Sequence, residues 1–256
     1  MTDKKIVLLT GGSSRLGRVI ARHLAETGHT VYCTSRKAAS SDVKGRIHFI
    51  KLDVTSDADV KRGIAAILAK EKRIDVVINN AAVTITGPAI DFSAEDFKTL
   101  LDTNVVGAFR VIKSSYSFPQ KPKVIINITS LNGFLAVPNF GLYSASKFAI
   151  EALGQSLRYE LTPSTRVINV APGARQAEPG KKMPHKPARE KIPLLNWLLP
   201  LTTLNDVAVV IENVMNIESP SARVLVGRDA KIINFLQKVL PSFLLEKIIF
   251  FIWQKK

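Results

Sequence analysis

Ile6-Val7-Leu8-Leu9-Thr10-Gly11-Gly12-Ser13-Ser14-Arg15-Leu16-Gly17 is the stretch on which the fold turns. Four apolar residues of strand length run into a glycine-rich turn. Leu16, Val19, Ile20 and Leu24 then recur as one helical face, and Gly28 ends the helix. A strand, a glycine turn and a helix in succession make the place where a doubly wound sheet holds a pyrophosphate. Backbone N–H groups and the positive end of the helix dipole both face the anion there. Gly11, Ser13, Ser14, Arg15, Leu16 and Gly17 are therefore candidate cofactor-binding residues. An ordinary strand-to-helix turn also favours glycine, so the loop needs support from the rest of the chain.

The same rhythm continues downstream. Apolar runs predict strands at Val31 to Thr34, Ile47 to Leu52, Val76 to Asn79, Val124 to Ile128, Val167 to Val170 and Arg223 to Val226. Helical periodicity predicts helices over Asp57 to Lys70, Ala94 to Tyr116, Tyr143 to Leu161 and Leu204 to Asn216. Strands that are apolar throughout, separated by amphipathic helices, argue for an α/β fold with a parallel sheet covered on both faces. Glu178 to Lys191, rich in Pro and Lys, interrupts the rhythm and reads as a loop.

At 256 residues, 46% of them apolar and 22% charged, the chain has the balance of a globular protein. Its single cysteine, Cys33, excludes an intramolecular disulfide and fits a reducing, cytoplasmic setting. The first apolar run is too short for a signal-peptide core, and no apolar stretch approaches the roughly 18 to 20 residues that span a bilayer. The formal net charge of +15 admits nucleic acid, anionic lipid or an acidic carrier protein as partners. No nucleic-acid recognition motif accompanies it, and a nucleic-acid partner is not expected.

About 20 residues past the glycine turn, an NAD-specific site needs a carboxylate for the ribose hydroxyls. The chain offers Thr34-Ser35-Arg36-Lys37 instead. A guanidinium there suits the 2′-phosphate of NADP, so NADP(H) is expected in preference to NAD(H), with Arg36 as its reader.

Tyr143-Ser144-Ala145-Ser146-Lys147 opens a long helical stretch, with Ser130 ahead of it. Positions four apart share a helix face, so the phenol and the ammonium project together. A nearby ammonium favours the phenolate and brings a poor base into working range. Ser130, just past a strand, is placed to hydrogen-bond a substrate oxygen as charge develops on it.

Taken together, these motifs resemble the short-chain dehydrogenase/reductase family from about Lys5 to Val226. The family's Thr-Gly-x-x-x-Gly-x-Gly falls on Thr10 to Gly17, its adenine-side Asp-Val on Asp53-Val54, and its Asn-Asn-Ala-Gly on Asn79-Asn80-Ala81-Ala82. Pro172-Gly173 falls on its Pro-Gly turn beside the nicotinamide. The resemblance implies a Rossmann-type sheet of about seven parallel strands and a catalytic tetrad of Asn104, Ser130, Tyr143 and Lys147. It adds Asp53, Val54, Asn80, Ala81, Pro172 and Gly173 to the cofactor site, with Tyr143 and Lys147 touching the cofactor as well. It also implies that Asn104 anchors a water leading from Lys147 to solvent. No metal is implied, since the histidines lack ligand spacing. Three departures stand out. Arg15 replaces a glycine, at a cost if that backbone is left-handed. Ala82 replaces another, and Ala177 stands where the family often has Thr, with Arg175 two residues before.

The expected organisation is a catalytic domain over residues 1–228, with a substrate lid at about 178–200, and a C-terminal amphipathic tail over 229–256. The lid's second half, Ile192-Pro193-Leu194-Leu195-Asn196-Trp197-Leu198-Leu199, suits a lipophilic carbonyl or alcohol such as a steroid, retinoid or long-chain lipid; equally, it packs on the domain. The tail carries Phe235, Leu236, Phe243, Leu244 and Ile248 to Trp253 among lysines, and reads as a peripheral membrane contact or an oligomer interface. A homo-oligomer, dimer or tetramer, is expected. Other readings are a 3-ketoacyl-(acyl-carrier-protein) reductase and a catalytically silent NADP-binding sensor.

Overall fold

The computed structural model describes residues 4–37, 45–174 and 201–254. The lid expected at 178–200, with Arg175 and Ala177, lies outside the described residues. Seven strands form one sheet in which every pairing is parallel. They are β1 (Ile6–Leu9), β2 (Thr30–Ser35), β3 (Ile47–Lys51), β4 (Val76–Asn79), β5 (Val124–Ile128), β6 (Arg166–Pro172) and β7 (Arg223–Val226), in the order 3-2-1-4-5-6-7. This is the Rossmann-type arrangement expected from the alternation of apolar runs and helical segments.

Alternate strand residues feed two cores. Val7 and Leu9 pack with Leu16, Ile20 and Leu24 of α1 (Arg15–Glu26) and with Val207, Ile211 and Met215 of Leu204–Asn216. Ile6 and Leu8 point the other way, toward Val60, Ile64 and Ile67 of α2 (Asp57–Glu71), among others. Each fully buried Leu or Ile contributes about 1.5 to 3 kcal/mol from the apolar surface it removes from water.

Predicted and observed elements differ where tertiary contacts intervene. The helical stretches read across Ala94 to Tyr116 are α3 (Ala94–Leu101), a π-helical stretch at Asp102–Val106 and α4 (Gly107–Tyr116). Wide turns of this kind gather at functional sites, and this one carries Asn104. Helix α5 (Gly141–Leu161) begins before Tyr143, which therefore sits in its first turn. Helix α6 (Leu204–Asn216) opens with a capping box between Thr203 and Asp206. The tail is two helices, α7 (Arg228–Val239) and α8 (Ser242–Gln254), because Pro241 cannot continue the first.

Candidate active site

The turn after β1 is held by its own atoms. Ser14 has extended backbone, and its Oγ accepts the Gly17 N–H at 3.0 Å, capping α1. Helix geometry then leaves the Arg15 and Leu16 N–H groups without acceptors inside the helix, facing whatever lies at its N-terminus. Gly11 is left-handed at φ +63°, and a Cβ there would come within 2.8 Å of the Ala81 Cα. At Gly17 a Cβ would stand 2.3 Å from the Gly11 carbonyl oxygen, so loop and helix meet at a separation only glycine permits. Arg15 is the first residue of α1 and is not left-handed; among the described non-glycine residues that conformation belongs to Lys72 and Asn139. The strain feared for an arginine here is therefore absent. Its exposed side chain lines a hollow with Val19, Leu204 and Asn205, apart from the cleft that Arg36 lines.

Thr10 and Asn80 join β1 to β4 at the point where the strand order reverses. The Thr10 Oγ1 accepts N–H bonds from Asn80 and Ala81, each at 3.0 Å. The Asn80 amide donates to the Thr10 and Gly11 carbonyls at 2.9 and 3.1 Å. Asn80 thus braces the glycine loop, a role its place in the motif did not disclose.

A cleft of about 210 Å³ opens at this switch point. Its walls include Gly11, Ser13 and Ser14 after β1, Thr34 to Arg36 at the end of β2, Asp53 and Val54 after β3, and Asn80 and Ala81 after β4. Sequence reasoning missed Thr55, Val83 and Thr103, which also line it. The Arg36 side chain is exposed to the cleft. Asp53 is partly committed, since its Oδ1 accepts both the N–H and the hydroxyl of Thr55, at 3.0 and 2.8 Å. Open N–H groups at a helix N-terminus, a glycine cradle that a Cβ would fill and a cationic far end together fit a phosphorylated dinucleotide.

The four tetrad residues come from three elements. Lys147 is buried, donates to the Ile128 carbonyl at 2.9 Å, and lies 5.6 Å from the centre of the half-buried Tyr143 ring. Ser130 follows β5 in extended conformation and accepts the Asn132 N–H at 3.2 Å. Asn104 clamps Val83, accepting its N–H at 2.8 Å and donating to its carbonyl at 2.9 Å. It also donates to Ser146 Oγ at 3.0 Å, and Ser146 in turn bonds the Tyr143 carbonyl at 2.8 Å. Asn104 therefore fastens the first turn of α5 to the segment after β4.

Beneath the tetrad runs a buried polar row that the sequence did not reveal. Asn79, Asn127, Asn169 and Arg223 are register partners across four adjacent strands. Asn79 donates to Asn127 at 2.9 Å, and Asn127 to Asn169 at 3.0 Å. Glu151, one helical turn after Lys147, receives Asn169 at 3.1 Å, Arg223 at 2.9 Å and the Thr129 hydroxyl at 2.6 Å. The Pro172-Gly173 turn is fixed at its other end by Asp229, whose buried carboxylate accepts the Ala174 N–H at 2.6 Å. Thr202 closes the same knot, donating its N–H to the Ala174 carbonyl at 3.0 Å. His23, on a helix flank, pairs with Glu212 at 2.7 Å. No metal-holding cluster occurs among the described residues.

Comparison with known proteins places the fold in a family. The short chain dehydrogenase family matches residues 5–187. The chain is 37% identical over 172 residues to a 3-ketodihydrosphingosine reductase of Bacteroides thetaiotaomicron, an alignment covering 66% of this chain and 63% of that protein. It is 33% identical over 184 residues to an NADPH-dependent pterin aldehyde reductase of Arabidopsis thaliana, covering 68% of this chain and 76% of that one. A short-chain dehydrogenase from Streptomyces avermitilis superposes with a TM-score of 0.77 at 28% identity, over 98% of this chain and 97% of that one. The chain belongs to the short-chain dehydrogenase/reductase family, NAD(P)-dependent oxidoreductases that act on CH–OH groups.

Proposed function

We propose that this protein interconverts a carbonyl and an alcohol on a lipophilic substrate, using NADP(H) in preference to NAD(H). The observation that carries the reading is an open cleft whose wall residue Val83 is clamped by Asn104, which in turn holds the first turn of α5, where Lys147 lies over the Tyr143 ring. Gly11, Ser13, Ser14, Arg15, Leu16 and Gly17 would hold the pyrophosphate, and Asp53 and Val54 the adenine side. Asn80, Ala81, Pro172 and Gly173 would frame the remainder, with Arg36 on the 2′-phosphate. Bound there, NADPH supplies a hydride to the carbonyl carbon.

The chain's own residues handle the oxygen. Ser130 donates a hydrogen bond to it as negative charge develops. Tyr143 gives it the proton. The Lys147 ammonium, fixed over the phenol ring, stabilises the charge left behind and holds the nicotinamide ribose. Asn104 keeps this turn of α5 in place through Ser146, and on the family's pattern it also anchors a water between Lys147 and solvent.

The lipid character of the substrate is supported by the likeness to the 3-ketodihydrosphingosine reductase. The apolar residues of the 178–200 segment point the same way. We assign catalysis to residues 1–228 of a cytoplasmic dimer or tetramer, with 229–256 as a tail that makes peripheral membrane contact. The test is NADPH consumption with a long-chain keto lipid, a steroid ketone and a short hydrophilic ketone side by side. Turnover should favour the first two; turnover confined to the hydrophilic ketone would overturn the substrate class.

A further inference from the structure

The two C-terminal helices expose a series of large apolar side chains. On α7, Phe235 is 61% and Val239 54% exposed; on α8, Phe243 is 56% and Phe250 62% exposed. Ile232, Leu244 and Ile248 add to the same surface. Scattered apolar residues need no explanation, but seven large ones on two successive helices do. Helix α8 has 13 residues, about 20 Å of rise, against about 30 Å of bilayer hydrocarbon. No helix among the described residues is long and apolar enough to cross a membrane.

Charge selects the occupant. Phe243, Lys247 and Phe250 recur at the spacing of one helix face, and the Lys247 ammonium stands 5.9 Å from the centre of the Phe243 ring. Lys231 and Lys238 are exposed on α7, whereas the acids of the two helices are the buried Asp229 and a single exposed Glu246. Aromatic and aliphatic side chains interleaved with lysines, on a chain of net charge +15, match the boundary between acyl chains and anionic headgroups. A second copy of these helices would add the same positive charge at the contact.

Helix α7 also holds the segment that follows Ser130. Gln237 of α7 donates to the Phe134 carbonyl at 2.7 Å, and Phe134 directly follows the turn that begins at Ser130. Arg223 lies over the Phe134 ring at 4.9 Å. We propose that α7 and α8 dock on an anionic bilayer surface and set the Ser130–Phe134 side of the site against it. A lipophilic substrate would then enter from the membrane. The docking stands on the two C-terminal helices alone; only the entry route rests on the function proposed above.

Flotation of the full chain with phosphatidylcholine vesicles and with mixed phosphatidylcholine–phosphatidylserine vesicles tests this. The chain should float with the mixed vesicles, weakly with the neutral ones, and less as salt rises. A double variant, Phe243→Ser with Phe250→Ser, should stop floating yet keep its thermal melt and its rate on a water-soluble aldehyde. Reversing Lys231, Lys238 and Lys247 to Glu should lower partitioning on the order of tenfold or more. A chain that floats but turns over no lipid ketone keeps the docking and loses the entry route. Equal, salt-insensitive flotation with both vesicle types overturns the anionic surface. A chain that floats with neither overturns the docking altogether, and a mass that then falls in the serine variant by light scattering assigns the surface to a second copy.

Discussion

Glu151 receives the Thr129 hydroxyl at 2.6 Å, one residue before Ser130, from a position one helical turn beyond Lys147. A single buried carboxylate thereby ties the strand end that carries Ser130 to the helix that carries Tyr143 and Lys147. Its other oxygen takes Arg223 at 2.9 Å and Asn169 at 3.1 Å, so the hub reaches two more strands.

Removing this hub should cost both stability and rate. Glu151→Ala leaves Arg223, whose side chain is 27% exposed, without its ion-pair partner, a loss of about 3 kcal/mol for a largely buried pair. Glu151→Gln keeps one acceptor oxygen, which can take the Thr129 hydroxyl, and should retain more of kcat than Glu151→Ala at matched folded fraction. Equal kcat in the two variants would remove Glu151 from any role in placing Ser130. Thermal melts with parallel kinetics separate the two effects.

Arg36→Ala should weaken NADPH binding about ten- to a hundredfold and leave NADH binding nearly unchanged, since the charge-assisted contact to the extra phosphate is worth about 1.5 to 3 kcal/mol. Calorimetry with both cofactors reads this. Parallel losses for the two would mean that Arg36 holds something common to both, not the 2′-phosphate.

Cys33 should be chemically silent in the folded protein. It lies under the glycine loop, where a Cβ on Gly12 would come 2.4 Å from its own Cβ, and burial pushes its thiol up to about 12. At pH 8 the thiolate is then on the order of one part in ten thousand, and the thiolate is the reactive form. Iodoacetamide should label it only after guanidinium unfolding. Rapid native labelling would show that the loop opens.

The parallel sheet, the glycine turn and the placing of Lys147 beside Tyr143 were legible because each is written in local periodicity or fixed spacing. Asn104, Glu151 and Asp229 also stood in the sequence, but what they do was not. Their partners lie 21 residues away for Asn104 with Val83, 22 for Glu151 with Thr129 and 55 for Asp229 with Ala174. Pairings at such separations are created by strand order, which no local pattern encodes. Arg15 shows the converse: a departure from a motif suggested strain, and the backbone carries none because the residue starts the helix.

Asp229→Ala should raise KM for NADPH more than it lowers kcat. Its carboxylate fixes the Ala174 N–H directly after Pro172-Gly173, and a Cβ on Gly173 would lie 2.0 Å from it, so the turn and the acid are built against each other. Asp229→Asn, which keeps an acceptor, should recover most of the loss. A pure kcat defect with unchanged KM would contradict a role in shaping the cofactor wall.

Tyr143→Phe separates binding from chemistry. The substitution removes one oxygen from a half-buried ring and leaves the packing of α5 intact. NADPH affinity, followed by calorimetry, should stay within about threefold, a shift of less than 1 kcal/mol. NADPH oxidation with a lipophilic ketone should fall by at least about two to four orders of magnitude, the usual contribution of a positioned acid. A variant that binds NADPH and still turns over at a rate near that of the parent would contradict proton transfer by Tyr143.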